Sequence, residues 1–280
     1  MIDAPAIDLS ALVEPVKTIA QEAGRRILAV YAGAFSVTAK ADQSPVTAAD
    51  LAAHDCILSG LAALTPSIPI LSEEASDVSF PERSHWTWLW LVDPLDGTRE
   101  FIKRNDQFSV NIALISRHEA VFGLVLSPVN GVYYYAWRSG GAFKQAPNQP
   151  PRRIHAARVC HYPVRVISSQ ESYRTHRLQN YLSHLGHHRH LGLGGAVKTC
   201  LIAEGKADLY PRFGPTGEWD TAAAQVILEQ AGGYMTDMQL RPLRYNVRPV
   251  LINPDFFAFG DATRNWAQYL PHRHSHGWPA

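Results

Sequence analysis

The stretch Trp90-Leu91-Val92-Asp93-Pro94-Leu95-Asp96-Gly97-Thr98 decides the reading of this chain, because an apolar strand runs straight into two carboxylates flanking a Pro-Leu pair. Pro94 restricts the turn, Gly97 lets the backbone approach a ligand closely, and Thr98 is placed to cap a short following helix while presenting its hydroxyl. An anion at the start of such a helix would meet free backbone N–H groups. Carboxylates beside an anion-binding turn make sense only with cations between them and the anion, since like charges otherwise repel. Magnesium is the hard ion that favours carboxylate, water and phosphate oxygens. A capped turn with two solvated aspartates is the plainer explanation for a bare pair at this spacing, but here the pair has acidic company.

Glu73-Glu74 follow the apolar run at residues 68–71, and Asp220 stands in Gly217-Glu218-Trp219-Asp220 at the start of a predicted helix. Each has a local alternative, Glu73 as a loop charge and Asp220 as a helix cap. Asp50 likewise has capping-box spacing from Thr47, with Asp in place of the usual Glu. Around these residues the pattern is first helical. Leu9, Leu12, Val13, Val16, Ile19, Ala20, Ala23 and Ile27 recur at helical spacing up to Tyr31, with Gly33 as a stop. After a polar stretch with Lys40, Asp42 and Ser44, a second helix carries Leu51, Ile57, Leu58, Leu61 and Leu64.

From Trp88 the pattern becomes sheet-like. Runs at residues 89–92, 108–115, 120–126, 132–136 and 142–144, broken by Ser127-Pro128, Asn130-Gly131 and Gly140-Gly141, predict an antiparallel meander. Residues 147–153, rich in proline and polar side chains, mark the boundary between an α+β part, 1–150, and an α/β part, 151–280. In the second part strands are expected at 164–168 and 207–210, and helices at 175–185, 196–203 and 221–230. There is no internal repeat. His272, His274 and His276 in the tail read as polar chain end rather than a metal site.

With 280 residues and 46% hydrophobic content the chain can build a real core, which excludes disordered and fibrous classes. Lys+Arg 26 against Asp+Glu 25 gives a net charge of +1, so no whole-molecule field recruits nucleic acid or an acidic membrane, and any phosphate-binding patch is local. Cys56, Cys160 and Cys200 fit neither a disulfide framework nor a paired-cysteine zinc site, so a reducing cytoplasm is expected. The acidic start MIDAPAIDLS lacks a signal pattern, and the most apolar run, 86–92, is too short to span a bilayer. The chain reads as soluble, with no integral membrane association, and carries no signal for oligomeric state.

The joint pattern resembles the lithium-sensitive, magnesium-dependent phosphomonoesterase superfamily of inositol monophosphatases and fructose-1,6-bisphosphatases. Its two signatures match residues 90–98 and Glu218-Trp219-Asp220-Thr221-Ala222-Ala223-Ala224. Within it, DPLDGTREFIKRNDQFSVNIALI (93–115) and LIAEGKADLYPRFGPTGEWD (201–220) look most like the CysQ-type 3′(2′),5′-bisphosphate nucleotidases. The resemblance implies an α/β (α+β) fold, a layered α-β-α-β-α sandwich, with the metal site between its two parts. It implies that Glu73, Asp93, Asp96, Asp220 and the Leu95 carbonyl hold magnesium, that Gly97 and Thr98 take phosphate oxygens, and that Thr98 with Asp50 orients and deprotonates the attacking water. Glu73, Leu95, Asp96 and Asp220 then also border the substrate. The implied reaction removes the 3′-phosphate of adenosine 3′,5′-bisphosphate, giving AMP and phosphate, and so clears a by-product of sulfate assimilation. His54, Cys56 and Cys200 are read as bystanders.

One departure stands out. CysQ-type members commonly carry Gly-Ser-Ser-Leu-Lys before a helix, whereas this chain has Gly194-Gly195-Ala196-Val197-Lys198. Lys198 is kept and both hydroxyls are absent; Ser168-Ser169 are candidates to compensate. Lys103, Arg104, Lys198 and Arg212 are candidate partners for a second phosphate. The nearest rival is an inositol or sugar phosphatase. A different class, RNA-associated regulation, is opposed by the near-zero net charge and the complete acidic set.

Overall fold

The structure, a computed structural model, describes residues 7–39 and 45–271. The expectations for Lys40, Asp42, Ser44, His272, His274 and His276 lie outside the described residues. A 3-10 turn, Ser10–Leu12, leads into α1 (Val13–Tyr31), which buries Val16, Ala20, Ala23 and Ile27 on one face. β1 (Val37–Ala39) and β2 (Pro45–Thr47) pair antiparallel, and α2 (Ala48–Leu64) follows directly. Next come β3 (Ile70–Ser72), α3 (Phe80–Arg83), β4 (Trp88–Asp96) and α4 (Thr98–Ile102). The predicted meander follows as β5 (Ser109–Ser116), β6 (Glu119–Ser127), β7 (Val132–Trp137) and β8 (Gly141–Gln145), with β9 (Arg152–Arg153) added at the edge. Strands β3 to β9 form one seven-stranded sheet in chain order, antiparallel except for β3 on β4.

A second sheet begins at β10 (Val164–Ser168). After it come α5 (Gln170–Tyr173), α6 (His176–Leu185), β11 (His188–Gly192), α7 (Val197–Ala203), β12 (Leu209–Arg212), α8 (Ala222–Gln230), β13 (Tyr234–Asp237) and β14 (Phe256–Phe259). Its order is β11-β10-β12-β14-β13, parallel across the first three strands and antiparallel at β14. The expected alternation of strand and helix therefore holds only as far as α8, and the sheet is mixed. β14, Phe-Phe-Ala-Phe, is buried on both faces and so lacks the alternation that marks a half-exposed strand.

Side-chain direction along β4 sets the layers. Trp90 and Val92 join Val16, Ile27, Ile57 and Leu61 of α1 and α2 on one face, while Leu89 and Leu91 join Cys200 of α7 and Ile227 of α8 on the other. The far side of α7 and α8 packs on Ile167, Tyr210 and Phe256 of the second sheet. That sheet's outer face, through Val166, Leu209 and Phe257, covers Leu178, Tyr181 and Leu182 of α6. The result is the layered α-β-α-β-α sandwich. α8 lies close on the first sheet because its start is Ala222-Ala223-Ala224 and the sheet offers Gly123, where a Cβ would fall 2.3 Å from the Ala223 carbonyl oxygen. This contact carries the turn before α8, and with it Asp220, toward the end of β4.

Candidate active site

In a regular strand Asp93 and Asp96, three residues apart, would face opposite sides of the sheet. β4 instead pairs Asp93 with Asn111 and Asp96 with Ser109, three residues against two. The extra residue is a bulge at Pro94-Leu95, beyond the last pairing with β3 at Val92, where a residue without N–H removes no bond to that neighbour. The bulge restores phase, so both carboxylates point to the α8 side. Asp93 Oδ1 accepts from the Leu95 N–H at 3.0 Å and pins the bulge. Asp96 Oδ2 receives only long contacts, from Asn111 Nδ2 at 3.4 Å and Ser109 Oγ at 3.5 Å.

Two other elements bring carboxylates to the same place. Glu73 follows β3, its N–H donating to the Val92 carbonyl at 3.1 Å. Asp220 ends the 3-10 turn Glu218–Asp220, its Oδ2 accepting from Gly217 N–H at 2.9 Å; it closes that turn rather than capping α8 itself. One oxygen from each of Glu73, Asp93 and Asp220 lies within 4.8 Å of the other two. Asp93 is buried, and its Oδ2 has no hydrogen-bond partner. Burial first, then the charges of Glu73, Asp96 and Asp220, hold the Asp93 carboxyl well above its ordinary value. Burial and the charges of Asp96 and Glu73 push Asp220 up to about 8. A buried oxygen facing carboxylates needs either a proton or a cation. An all-oxygen donor set with one orphaned member fits a hard divalent cation, and Glu73, Asp93 and Asp220 are the residues that would hold it, with Asp96 and the Leu95 carbonyl alongside.

The two local readings of Asp50 coexist. Asp50 Oδ2 accepts from the Thr47 N–H at 2.7 Å, the capping-box bond that pairs with Ala49 N–H donating to Thr47 Oγ1, and also from the Thr47 hydroxyl at 2.7 Å, while Oδ1 accepts from Thr98 Oγ1 at 3.0 Å. The cap therefore fixes the carboxylate that orients Thr98. The expectation that Thr98 caps α4 is corrected: the N-cap is Gly97, without a side-chain bond, and Thr98 is the first helical residue. Gly97 has φ 93°, and a Cβ there would lie 2.9 Å from the Gln107 carbonyl oxygen, so only glycine fits without strain. The Thr98 hydroxyl is also 3.3 Å from the Leu95 carbonyl oxygen, the backbone atom the sequence reading placed in the site.

From Asp96, Gly97 and Asp220 a cleft of 390 Å³ runs past Lys198 and Tyr210 to Arg212, Ser169 and Ser172. Lys198 is 8% exposed; its Nζ donates to the Gly195 carbonyl and lies 5.3 Å from the centre of the Tyr210 ring. Arg212 donates through Nε to Thr216 Oγ1 at 2.8 Å, Nη1 to Ser172 Oγ at 2.7 Å and Nη2 to the Pro215 carbonyl at 2.8 Å. Two candidates for a second phosphate are corrected. Arg104 is turned away, donating to the Tyr31 and Gly33 carbonyls, and Lys103 ends on Glu171 at 3.0 Å. Neither lines the cleft, whereas Arg99 does. Ser168 is buried against His190 Nε2 at 2.9 Å, which leaves Ser169 as the serine of that pair on the cleft wall.

His54 is not merely a packing residue: its Nδ1 meets Ser72 Oγ at 2.9 Å, one residue before Glu73. Cys200 is fully buried, and burial raises its thiol pKa. Sequence reasoning missed Ser172, which no local motif marks, and did not single out Tyr210 and Thr216 within the stretch 201–220 that carries the resemblance.

The inositol monophosphatase family matches residues 8–276. The chain is 47% identical over 247 residues to the 3′(2′),5′-bisphosphate nucleotidase CysQ of Salmonella typhimurium, a match spanning 88% of this chain and 98% of that one. To the protein of the same name from Haemophilus influenzae it is 37% identical over 260 residues, 91% of this chain and 95% of that one. The crystal structure of CysQ from Bacteroides thetaiotaomicron, a bacterial member of the inositol monophosphatase family, superposes with a TM-score of 0.78 at 34% identity, covering 93% of this chain and 100% of that one. With its bulged acidic strand end, its layered architecture and these matches, the chain belongs to the inositol monophosphatase family.

Proposed function

We propose that the chain is a magnesium-dependent 3′(2′),5′-bisphosphate nucleotidase that hydrolyses the 3′-phosphate of adenosine 3′,5′-bisphosphate to AMP and phosphate. The observation that carries this reading is one cleft lined both by Asp96 and Asp220, neighbours of the buried Asp93 with its orphaned Oδ2, and by the cations Lys198 and Arg212. The names of the curated relatives support the same substrate class. Magnesium held by Glu73, Asp93, Asp96, Asp220 and the Leu95 carbonyl would neutralise phosphoryl oxygens, lower the pKa of water and stabilise the departing ribose oxygen.

The chain's own residues do the rest. Gly97 and Thr98 contact the oxygens of the phosphate under attack. Thr98 Oγ1 accepts a proton from the attacking water as it passes its own to Asp50 Oδ1, and Thr47 holds Asp50 in place for that exchange. No covalent phosphoenzyme is required. Lys198 and Arg212 take the 5′-phosphate, which is remote from the reacting bond and contributes binding energy alone. Such charge-assisted contacts are worth about 1.5–3 kcal/mol each. Lithium competing for the magnesium sites inhibits. The location is cytoplasmic, a reading supported by three free cysteines and by the absence, among the described residues, of any helix long and apolar enough to cross a membrane.

Phosphate release from adenosine 3′,5′-bisphosphate, adenosine 3′-monophosphate, inositol 1-phosphate and fructose 1,6-bisphosphate, each with magnesium and with chelator, tests the reading. The bisphosphate nucleotide is expected to be preferred by about tenfold or more over the monophosphate. Equal efficiency on these two nucleotides overturns the substrate assignment. Preference for either of the other compounds points to an inositol or sugar phosphatase, and release that survives chelation overturns the metal requirement.

A further inference from the structure

Gly195 and Ala196 leave the approach to α7 without a hydroxyl, yet hydroxyls meet Arg212 from another wall of the cleft. Ser169 Oγ accepts from the Ser172 N–H at 3.1 Å and lies 2.9 Å from Ser172 Oγ, so one hydroxyl proton joins the pair. The Arg212 guanidinium, which can only donate, adds a second bond to the same Ser172 oxygen at 2.7 Å. Two hydroxyls carry two protons, and one of them joins the pair whichever way it runs. The other hydroxyl proton of the pair is therefore left without an acceptor among the described residues, and both side chains line the cleft. Arg212 is in the same state: Nε, one N–H of Nη1 and one of Nη2 are fixed by Thr216, Ser172 and Pro215, leaving one N–H on each Nη. Uncommitted donors thus sit on bonded side chains that line the same cleft. Glu171, the neighbour of Ser172 in sequence, is engaged by Lys103 and Arg99.

We propose that Ser172, oriented by Ser169, is a specificity-determining residue. Its hydroxyl proton, with the two remaining Arg212 N–H groups, holds the second phosphate of a nucleoside bisphosphate, so that the hydroxyl contact comes from α5 rather than from the start of α7. The pieces are pre-set: Ser169 and Thr216 fix the donors before any anion arrives, so little side-chain entropy is lost on binding. This rests on the second-phosphate reading of Lys198 and Arg212 above and adds to it the residue that aims the guanidinium.

The test is the ratio of kcat/KM for adenosine 3′,5′-bisphosphate to that for adenosine 3′-monophosphate, measured in wild type, Ser172→Ala, Ser172→Thr and Arg212→Ala. Ser172→Ala is expected to lower the ratio about tenfold, the weight of one charge-assisted hydrogen bond, with the loss in KM for the bisphosphate. Ser172→Thr keeps the hydroxyl and is expected to stay near wild type. A ratio unchanged in Ser172→Ala but lowered in Arg212→Ala overturns the role of Ser172 and leaves the second-phosphate reading standing. A wild-type ratio of one overturns both. A loss that falls on both substrates equally, in kcat, assigns Ser172 to fold integrity and also overturns the proposal.

Discussion

The two walls of the cleft are built in opposite ways. The acidic wall takes Asp93, Leu95, Asp96, Gly97 and Thr98 from one continuous stretch, where a single bulge in β4 turns a strand end into a site. The cationic wall gathers Ser169, the N-cap of α5, and Ser172 within it, Lys198 from α7, and Arg212 and Thr216 from the end of β12 and the loop beyond it. On the acidic side, covalent adjacency sets the core of the wall, to which packing adds Glu73, Asp220 and Asp50. On the other side, recognition depends on tertiary packing alone. The difference predicts that damage to the first wall abolishes reaction with little change of substrate, while damage to the second changes substrate with little change of chemistry.

The largest effect is expected at the buried carboxylates. Asp93→Asn or Asp220→Asn should lower kcat/KM on the order of a thousandfold or more, since each keeps its shape and loses the charge proposed to hold the cation. The metal-free fold should not suffer. Asp93 and Asp220 are already pushed toward their protonated forms, which Asn imitates, so the metal-free variants should melt at or above the wild-type temperature. Millimolar magnesium should raise the melting temperature of wild type and move neither variant as far. Variants that unfold without metal would mean that these carboxylates hold the fold rather than the cation.

Thr98→Ala is expected next, at about a hundredfold in kcat with little change in KM, because in the proposed mechanism its hydroxyl serves the attacking water while its backbone N–H stays available to the phosphate. Thr98→Ser should retain most of the rate. Since Gly97 and not Thr98 caps α4, the alanine variant should lose little stability, and a large drop in melting temperature would return Thr98 to a structural role.

The acidic wall was legible in sequence because strand, bulge and glycine turn follow one another along the chain, and because Thr47 and Asp50 have the spacing of a cap. Helices α1, α2, α6 and α8 and the meander were legible from periodicity for the same local reason. β11, His-Arg-His-Leu-Gly, was not, since an edge strand of polar residues has no apolar pattern to read. β14 was hidden by the opposite fault, an unbroken apolar run. Among the cations, composition offered Lys103, Arg104, Lys198 and Arg212 alike. Only packing separates the two that line the cleft from the two that do not.

The comparison also has a pH dependence. A carboxyl whose folded pKa is raised contributes stability fully below its unfolded value, 3.8 for Asp220, and loses it as pH rises through the folded value of about 8. Metal-free wild type should therefore lose stability relative to Asp220→Asn as pH is raised from about 5 to 9, the difference cancelling other titrating groups. Saturating magnesium should reverse the trend, because the cation binds the ionised form. Parallel curves for the two proteins, with and without magnesium, would show that Asp220 titrates normally.

The smallest effect asks how far the acidic wall extends behind its ligands. Asp50 and His54 lie four residues apart on α2 and so share a face. One reaches Thr98, and the other reaches Ser72 at the end of the three-residue strand β3. Ser72 opens the turn that carries Glu73, closed by the Ala75 N–H donating to the Ser72 carbonyl at 3.0 Å. So short a strand cannot by itself fix the turn that follows, and the His54–Ser72 bond ties it to the helix that also orients Thr98. His54→Ala should raise the magnesium concentration that half-saturates the thermal shift by about tenfold, the usual weight of a group behind a metal ligand, with a smaller effect on kcat at saturating magnesium. Ser72→Ala should do the same, and the double variant should be no worse than either, as expected for two ends of one bond. Additive losses, or a fall in melting temperature with an unmoved magnesium midpoint, would confine the pair to packing and end the acidic wall at its carboxylates.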